Sequence, residues 1–324
     1  MLHPTARPKF GPAVSAPLID YLVVFIRQSR APCCDVFSIR SFRSKQKFAV
    51  MRTLVISRCR RGFSVIELAV VIGIAGLLLA MLIPAVQAAR ESARGSHCAN
   101  NLRNIGVALA NFHAVRRSFP AGSEALAGTE QAWSSRLLPF IECDILAAHI
   151  DYTQPWNAPG PNLTAANQNL SIYVCPSGLT TYSGKQDYGG IQGTSLLPLT
   201  AGVGPTQAFG CGILIVTSSQ QPSPVTAAKI TDGLSVTLIV GESVDRQDES
   251  ASRWACGRNC FAQNDQWVNM DELGSLHSNH PGGAQGLFAD GHVVLLTEQI
   301  APTVLGALCT RNGGEVDSNS TCTN

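Results

Sequence analysis

No pair of CxxC motifs occurs in the sequence, which argues against a zinc ribbon. There is no GxSxG elbow, and Ser195 in GTSLL has no identifiable base beside it, so nucleophilic catalysis finds little support. The glycine-rich GGIQG does not stand between a clear strand and a clear helix, which weakens any phosphate cradle. Internal repeats and low-complexity tracts are missing as well. Beyond residue 62 the chain carries no basic stripe with interleaved aromatics, so no nucleic-acid partner is expected. These residues give no reason to read an enzyme.

What is present is unevenly placed. The 324 residues carry a formal charge of +2, yet residues 1–62 hold twelve Lys/Arg against two Asp/Glu, a net of +10. The rest holds twelve against twenty, a net of −8. Between the two lies VIELAVVIGIAGLLLAMLI, residues 65–83, nineteen residues with one charge. At about 1.5 Å per residue such a helix spans about 28 Å, close to a hydrocarbon core. Arg58, Arg60 and Arg61 would hold its start in the cytoplasm and send everything after Pro84 outside. A cleaved secretory signal has a shorter apolar region and a small-residue site after it, whereas here the notable glycine, Gly62, comes first.

Eleven cysteines divide the same way, with Cys33, Cys34 and Cys59 before the helix and eight after it. An even number beyond a membrane span suits disulfides in an oxidising compartment, although reduced structural cysteines fit as well. Cys256 and Cys260, in CGRNC, are spaced for a small local disulfide.

Glu67 is the unusual residue. A carboxylate inside an apolar span is costly, less so near an end. It either snorkels to the interface or awaits a positive partner. Cutting between Gly62 and Phe63 would create one, a new α-amine on Phe63, with Glu67 then the fifth residue of the chain. RRGFSVIEL resembles the class III signal of type IV prepilins and of the pseudopilins of type II secretion. That resemblance rests on Gly62, Phe63, Glu67, the apolar helix and Pro84, a proline that removes one helical hydrogen bond and so predicts a bend. It implies a prepilin peptidase that cuts after Gly62 and methylates Phe63. It also implies assembly with other pilin or pseudopilin subunits through Glu67. Met51 begins a basic leader of twelve residues, so residues 1–50 read as an upstream misassigned start, with a long cytoplasmic leader as the alternative.

After Pro84, Leu102, Ile105, Leu109 and Phe112 recur at spacings of three and four, predicting an amphipathic continuation over 85–118. From 119 to 324 short apolar runs alternate with turn residues. Strands are expected at 171–174, 212–216, 235–240, 286–289 and 292–296, and helices at 133–141 and 301–308. Asp290-Gly291 marks a tight hairpin. The expected class is α+β and pilin-like: a long N-terminal helix, transmembrane then amphipathic, packed on an antiparallel β-rich domain with long loops.

CANNLRNIGVALANFH, SFPAG, WSSRLLPFIE, YVCPS, ITDGLSVTLIVGE and SLHSNHPGGAQGLFADGHV follow in order. The series resembles the planctomycete group defined by domain of unknown function 1559, which joins a prepilin-type start to a His-x9-Asp-Gly segment. Here His280, nine residues, then Asp290 and Gly291 meet that spacing. The likeness runs from about Gly62 to Glu298, and it implies a pairing of Cys98 with Cys175, since both sit in the matching segments.

Two further clusters bear on metals. His277, His280, Asp290 and His292 could converge on an ion, but a loop-bound His280 that braces the hairpin explains them more simply. Asp265, Asp271 and Glu272 offer oxygens for calcium, but EF-hand spacing is absent and a solvated acidic loop is the commoner explanation. No other cofactor is expected. The sequence thus predicts a single-pass protein of the cytoplasmic (inner) membrane, N-terminus inside and C-terminal domain periplasmic or at the cell surface. A membrane-tethered module that captures a carbohydrate or other ligand is the alternative.

Overall fold

The apolar run and the amphipathic stripe form a single helix in the computed structural model, which describes residues 63–195, 211–217, 223–249, 251–264, 266–270 and 275–313. Gly62, the calcium candidates Asp265, Asp271 and Glu272, and everything before Phe63 lie outside the described residues. The chain divides into two units, Met1–Gly73 and Ile74–Asn324.

In the first unit, helix α1 (Val65–Arg116) begins just after Ser64. A Glu67 carboxylate oxygen accepts the Ser64 N–H at 2.9 Å. With Ser64 as the cap and Glu67 three positions on, this is the reach-back half of a capping box, S-x-x-E. The orphan amide at the helix start thereby gains a partner. From Phe63 to Arg90 every residue is exposed, and α1 is long and apolar enough to cross a membrane. Pro84 lies inside α1 without ending it.

In the second unit α1 turns amphipathic. Cys98, Ala99, Asn101, Leu102, Ile105, Gly106, Ala108 and Leu109 form its buried face. The helix stops at Arg116, where Arg117 adopts positive φ and its N–H returns to the His113 carbonyl.

Five strands make one mixed sheet: β1 (Tyr188–Thr194), β2 (Leu238–Glu242), β3 (Cys260–Gln263), β4 (Gly283–Phe288) and β5 (Val293–Thr297), in the order β3-β1-β2-β4-β5. Three pairings are antiparallel, in keeping with the antiparallel β-rich domain expected, and β1 with β3 is parallel. The fold is α+β. One face of the sheet is covered by α1 and the loops, burying Trp133, Tyr173, Tyr188, Trp254 and Leu287 with Leu102, Ile105 and Leu109 of the helix. The other face packs Ile191, Leu238, Phe261, Leu276, Ala284, Phe288 and Leu296.

Among the described residues the remaining helices are short: α2 (Trp133–Arg136), α3 (Asp144–Ala148), α4 (Pro161–Ala166) and α5 (Pro302–Leu308). The helix expected over 133–141 is split, because Pro139 lies in a separate 3-10 turn, Leu138–Phe140. Residues 171–174 do not form a strand. Ser171–Tyr173 is a 3-10 turn that drops Tyr173 into the core, its hydroxyl donating to the Ser134 carbonyl at 2.9 Å. The run at 212–216 is a bent segment rather than a strand: Gly212 and Leu214 donate their N–H groups to the Gln192 and Ile191 carbonyls of β1, and Val216 bridges Ser123.

At the Asp290-Gly291 turn the hairpin closes as expected. Phe288 N–H donates to the His292 carbonyl at 2.9 Å, and Gly291 holds φ of 96°. A Cβ on Gly106 of α1 would lie 2.9 Å from Leu287 and 3.4 Å from the Gly291 backbone. The missing side chain is what lets the helix lie directly on this hairpin.

Candidate functional site

Four segments of the second unit converge beneath α1. Cys98 comes from the helix, Cys175 from the loop after the 3-10 turn, Glu242 from the last position of β2, and His280 from the loop before β4. All four are buried, and one ligand atom from each lies within 4.8 Å of the others. The Cys98 and Cys175 sulfurs are 2.8 Å apart. His280 Nε2 stands 3.1 Å from Cys98 Sγ and 3.4 Å from Cys175 Sγ. Glu242 Oε1 lies 3.9 Å from the same nitrogen and has no hydrogen-bond partner, while Oε2 accepts the Gln285 N–H at 2.8 Å.

The imidazole is oriented from its other side. Glu91 Oε1 accepts a hydrogen bond from Nδ1–H at 2.6 Å, and the same carboxylate is held by Ser177 and Arg94. Such a carboxylate–histidine contact fixes the tautomer and leaves Nε2 facing the sulfurs. Contact with Cys175, then Glu91 and Glu242, raises the His280 pKa to about 9. Burial pushes the Glu242 carboxyl up to about 7. Within the sulfur pair, Cys98 and His280 both favour the thiolate of Cys175, so its pKa falls while that of Cys98 rises.

A buried ion network holds the Cys175 loop. Lys185 Nζ meets Asp187 at 3.0 Å and Asp245 at 2.8 Å. Asp187 accepts the Cys175 N–H at 2.9 Å. Asp245 accepts the Leu179 and Thr180 N–H groups and the Asn279 side chain, tying this loop to the one that carries His280. Asn101 of α1 donates toward the Val174 carbonyl and the Tyr188 hydroxyl at 3.3 and 3.2 Å. Asn101 is therefore a tether from the helix to the same loop.

The structure does not assemble the histidine set suggested by the sequence. His277 Nδ1 donates to the Val244 carbonyl at 3.1 Å, and Asp290 pairs with His292 at 2.6 Å within the hairpin turn. His280 leaves the hairpin unbraced and faces α1 instead. Cys98 and Cys175 do meet, as thiols rather than as a disulfide. Cys256 and Cys260 are thiols too, and Cys211 is disulfide-bonded.

Sequence reading missed Glu91, Asp187, Lys185 and Glu242. The signal available was that Cys98, Cys175, Glu242 and His280 each fall in a different one of the motif segments. Spacing could not have joined them, since 182 positions separate Cys98 from His280.

A sequence model of the family described as "Protein of unknown function (DUF1559)" matches residues 87–271, which holds three of the four converging residues. No curated protein and no solved structure matches the chain.

Proposed function

From the chain's membership of the DUF1559 family, together with its long apolar helix, we propose that it is a prepilin-like, single-pass membrane protein. A prepilin peptidase would cut it between Gly62 and Phe63. It would then assemble with pilin or pseudopilin subunits through α1, in a filament of the type II secretion or type IV pilus kind. Its C-terminal domain would face the periplasm or the cell surface, and its role is structural rather than enzymatic.

The observation that carries this reading is Glu67. It is the only charged residue in an exposed apolar stretch, and its carboxylate already reaches back to the backbone of Ser64. Cleavage would place an ammonium one residue further on. Unpaired carboxylates in lipid are costly, so a neighbouring subunit's new amine is a favourable partner.

Intact-mass analysis of the native protein tests the processing step. The expected mass is that of a chain starting at N-methylated Phe63, and an uncut leader would remove the proposal's basis. Assembly is tested with two substitutions. Glu67→Gln keeps a side chain able to make the capping hydrogen bond but removes the charge; Glu67→Ala removes both. Both should insert in the membrane and fail to enter filaments. If Glu67→Gln assembled normally, capping alone would explain the residue.

The binding-module reading has one observation in its favour. Trp267, Val268, Asn269, Met270, Glu298 and Gln299 line an open depression in which Trp267 and Met270 are partly exposed. An aromatic beside polar groups suits a sugar ring. Titration of the full chain with oligosaccharides, read by Trp267 fluorescence against Trp267→Ala, decides whether that surface binds anything.

A further inference from the structure

We propose that Cys98, Cys175, Glu242 and His280 bind one zinc ion, which clasps α1 to the sheet. The inference is independent of cleavage at Gly62, because every ligand lies in the second unit.

Donor chemistry selects the ion. Two sulfurs, one imidazole nitrogen and one carboxylate oxygen suit a borderline cation with tetrahedral preference. Calcium and magnesium require shells of oxygen, and copper(I) has little use for a carboxylate. Four buried protein donors leave no open position for water or substrate. That is the pattern of a structural zinc site rather than a catalytic one.

Two features besides the proximity of the donors point the same way. Glu242 is buried at the sheet end with Oε1 unpartnered and facing the group. Such an oxygen is costly to leave unsatisfied, and a cation would satisfy it. On the far side of His280, the Glu91 carboxylate holds Nδ1, the outer contact that orients a metal-bound histidine.

A disulfide is the competing outcome for the sulfurs. Closing that bond would leave His280 Nε2 and Glu242 Oε1 only each other, 3.9 Å apart. Zinc uses all four atoms. With Zn–S of about 2.3 Å at a tetrahedral angle, the sulfurs would open to about 3.8 Å. Loading releases to solvent the protons of the thiols, of His280 Nε2 and of the Glu242 carboxyl, each where it is present, while Nδ1–H keeps its hydrogen bond to Glu91.

The test uses the full chain, purified in mild detergent without chelator. Elemental analysis should find one zinc per chain. The stripped, reduced protein should take up cobalt(II) with thiolate-to-cobalt charge-transfer absorption, a readout that needs no variant to fold. Glu91→Gln, which keeps all four ligands, should weaken zinc binding about 10–100-fold. Absence of both zinc retention and cobalt absorption in the reduced chain would overturn the proposal. So would a Cys98–Cys175 disulfide in peptide maps of unreduced native protein.

Discussion

Lys185 is a cation enclosed by two carboxylates and almost entirely buried. Replacing it with methionine would fill much the same volume but strand Asp187, which has no access to solvent. Removing one partner of a buried pair costs about 3–5 kcal/mol. Lys185→Met should therefore lower the unfolding free energy by that amount, read as a fall in the denaturant midpoint at unchanged slope, while leaving membrane insertion intact. The same network sets an acid limit. Burial alone would raise the Asp245 pKa, but the Leu179 N–H, Lys185 and Thr180 overcome it and hold it well below the usual carboxylate range. A depressed folded-state pKa stabilises above the unfolded value of about 3.9, and that stability is lost as pH falls below it. Buried Asp187 is shifted upward and offsets part of the loss. Equilibrium unfolding at pH 7 and pH 3 should show a smaller acid loss in Asp245→Asn than in wild type.

Among the elements, contact between α1 and the β4–β5 hairpin depends on two glycines. Gly106→Val would push against Leu287 and the Gly291 backbone, an overpacking change that costs about 1–3 kcal/mol. Gly291→Ala meets no neighbouring atom, so its cost is conformational alone, about 1–3 kcal/mol for a side chain at φ of 96°. Thermal melts separate the two: Gly291→Asn should recover part of the alanine loss, because asparagine tolerates positive φ better.

These elements also show what the sequence made legible. The hairpin could be read because Asp-Gly and the flanking apolar residues encode it locally. Strand β1, YGGIQGT, could not, because glycines replace the side chains whose alternation marks a strand. They are there because Gly189 lies against the Phe261 ring and Gly190 against Trp133 and Leu214. Residues 171–174 misled for the opposite reason, since SIYV is apolar enough for a strand but serves as a turn that anchors Tyr173. Ser64 and Glu67 did carry a visible capping signature, one that the membrane setting of Glu67 obscured. At the candidate site every side chain was visible and their convergence was not, because convergence is set by tertiary contacts across distant segments.

At the scale of the whole molecule, one chain has two kinds of solvent to satisfy. The apolar stretch of α1 is exposed from Phe63 to Arg90, so the full chain should leave membranes with detergent and resist high-salt extraction. The second unit, by contrast, has its own two-sided core. Removing zinc from the full protein should lower the melting temperature of that unit and leave detergent partitioning unchanged; differential scanning calorimetry with and without chelator reads the first, phase separation the second.

The 182 positions between Cys98 and His280 have a temporal meaning as well. Cys98 emerges in synthesis well before His280, so the cation cage cannot be complete until the chain has been made past His280. Contacts of such long range come late, since the entropy of closing the loop must be met before they are rewarded. Zinc capture is then the closing event of maturation rather than its nucleus, and a chain deprived of metal would stall almost folded.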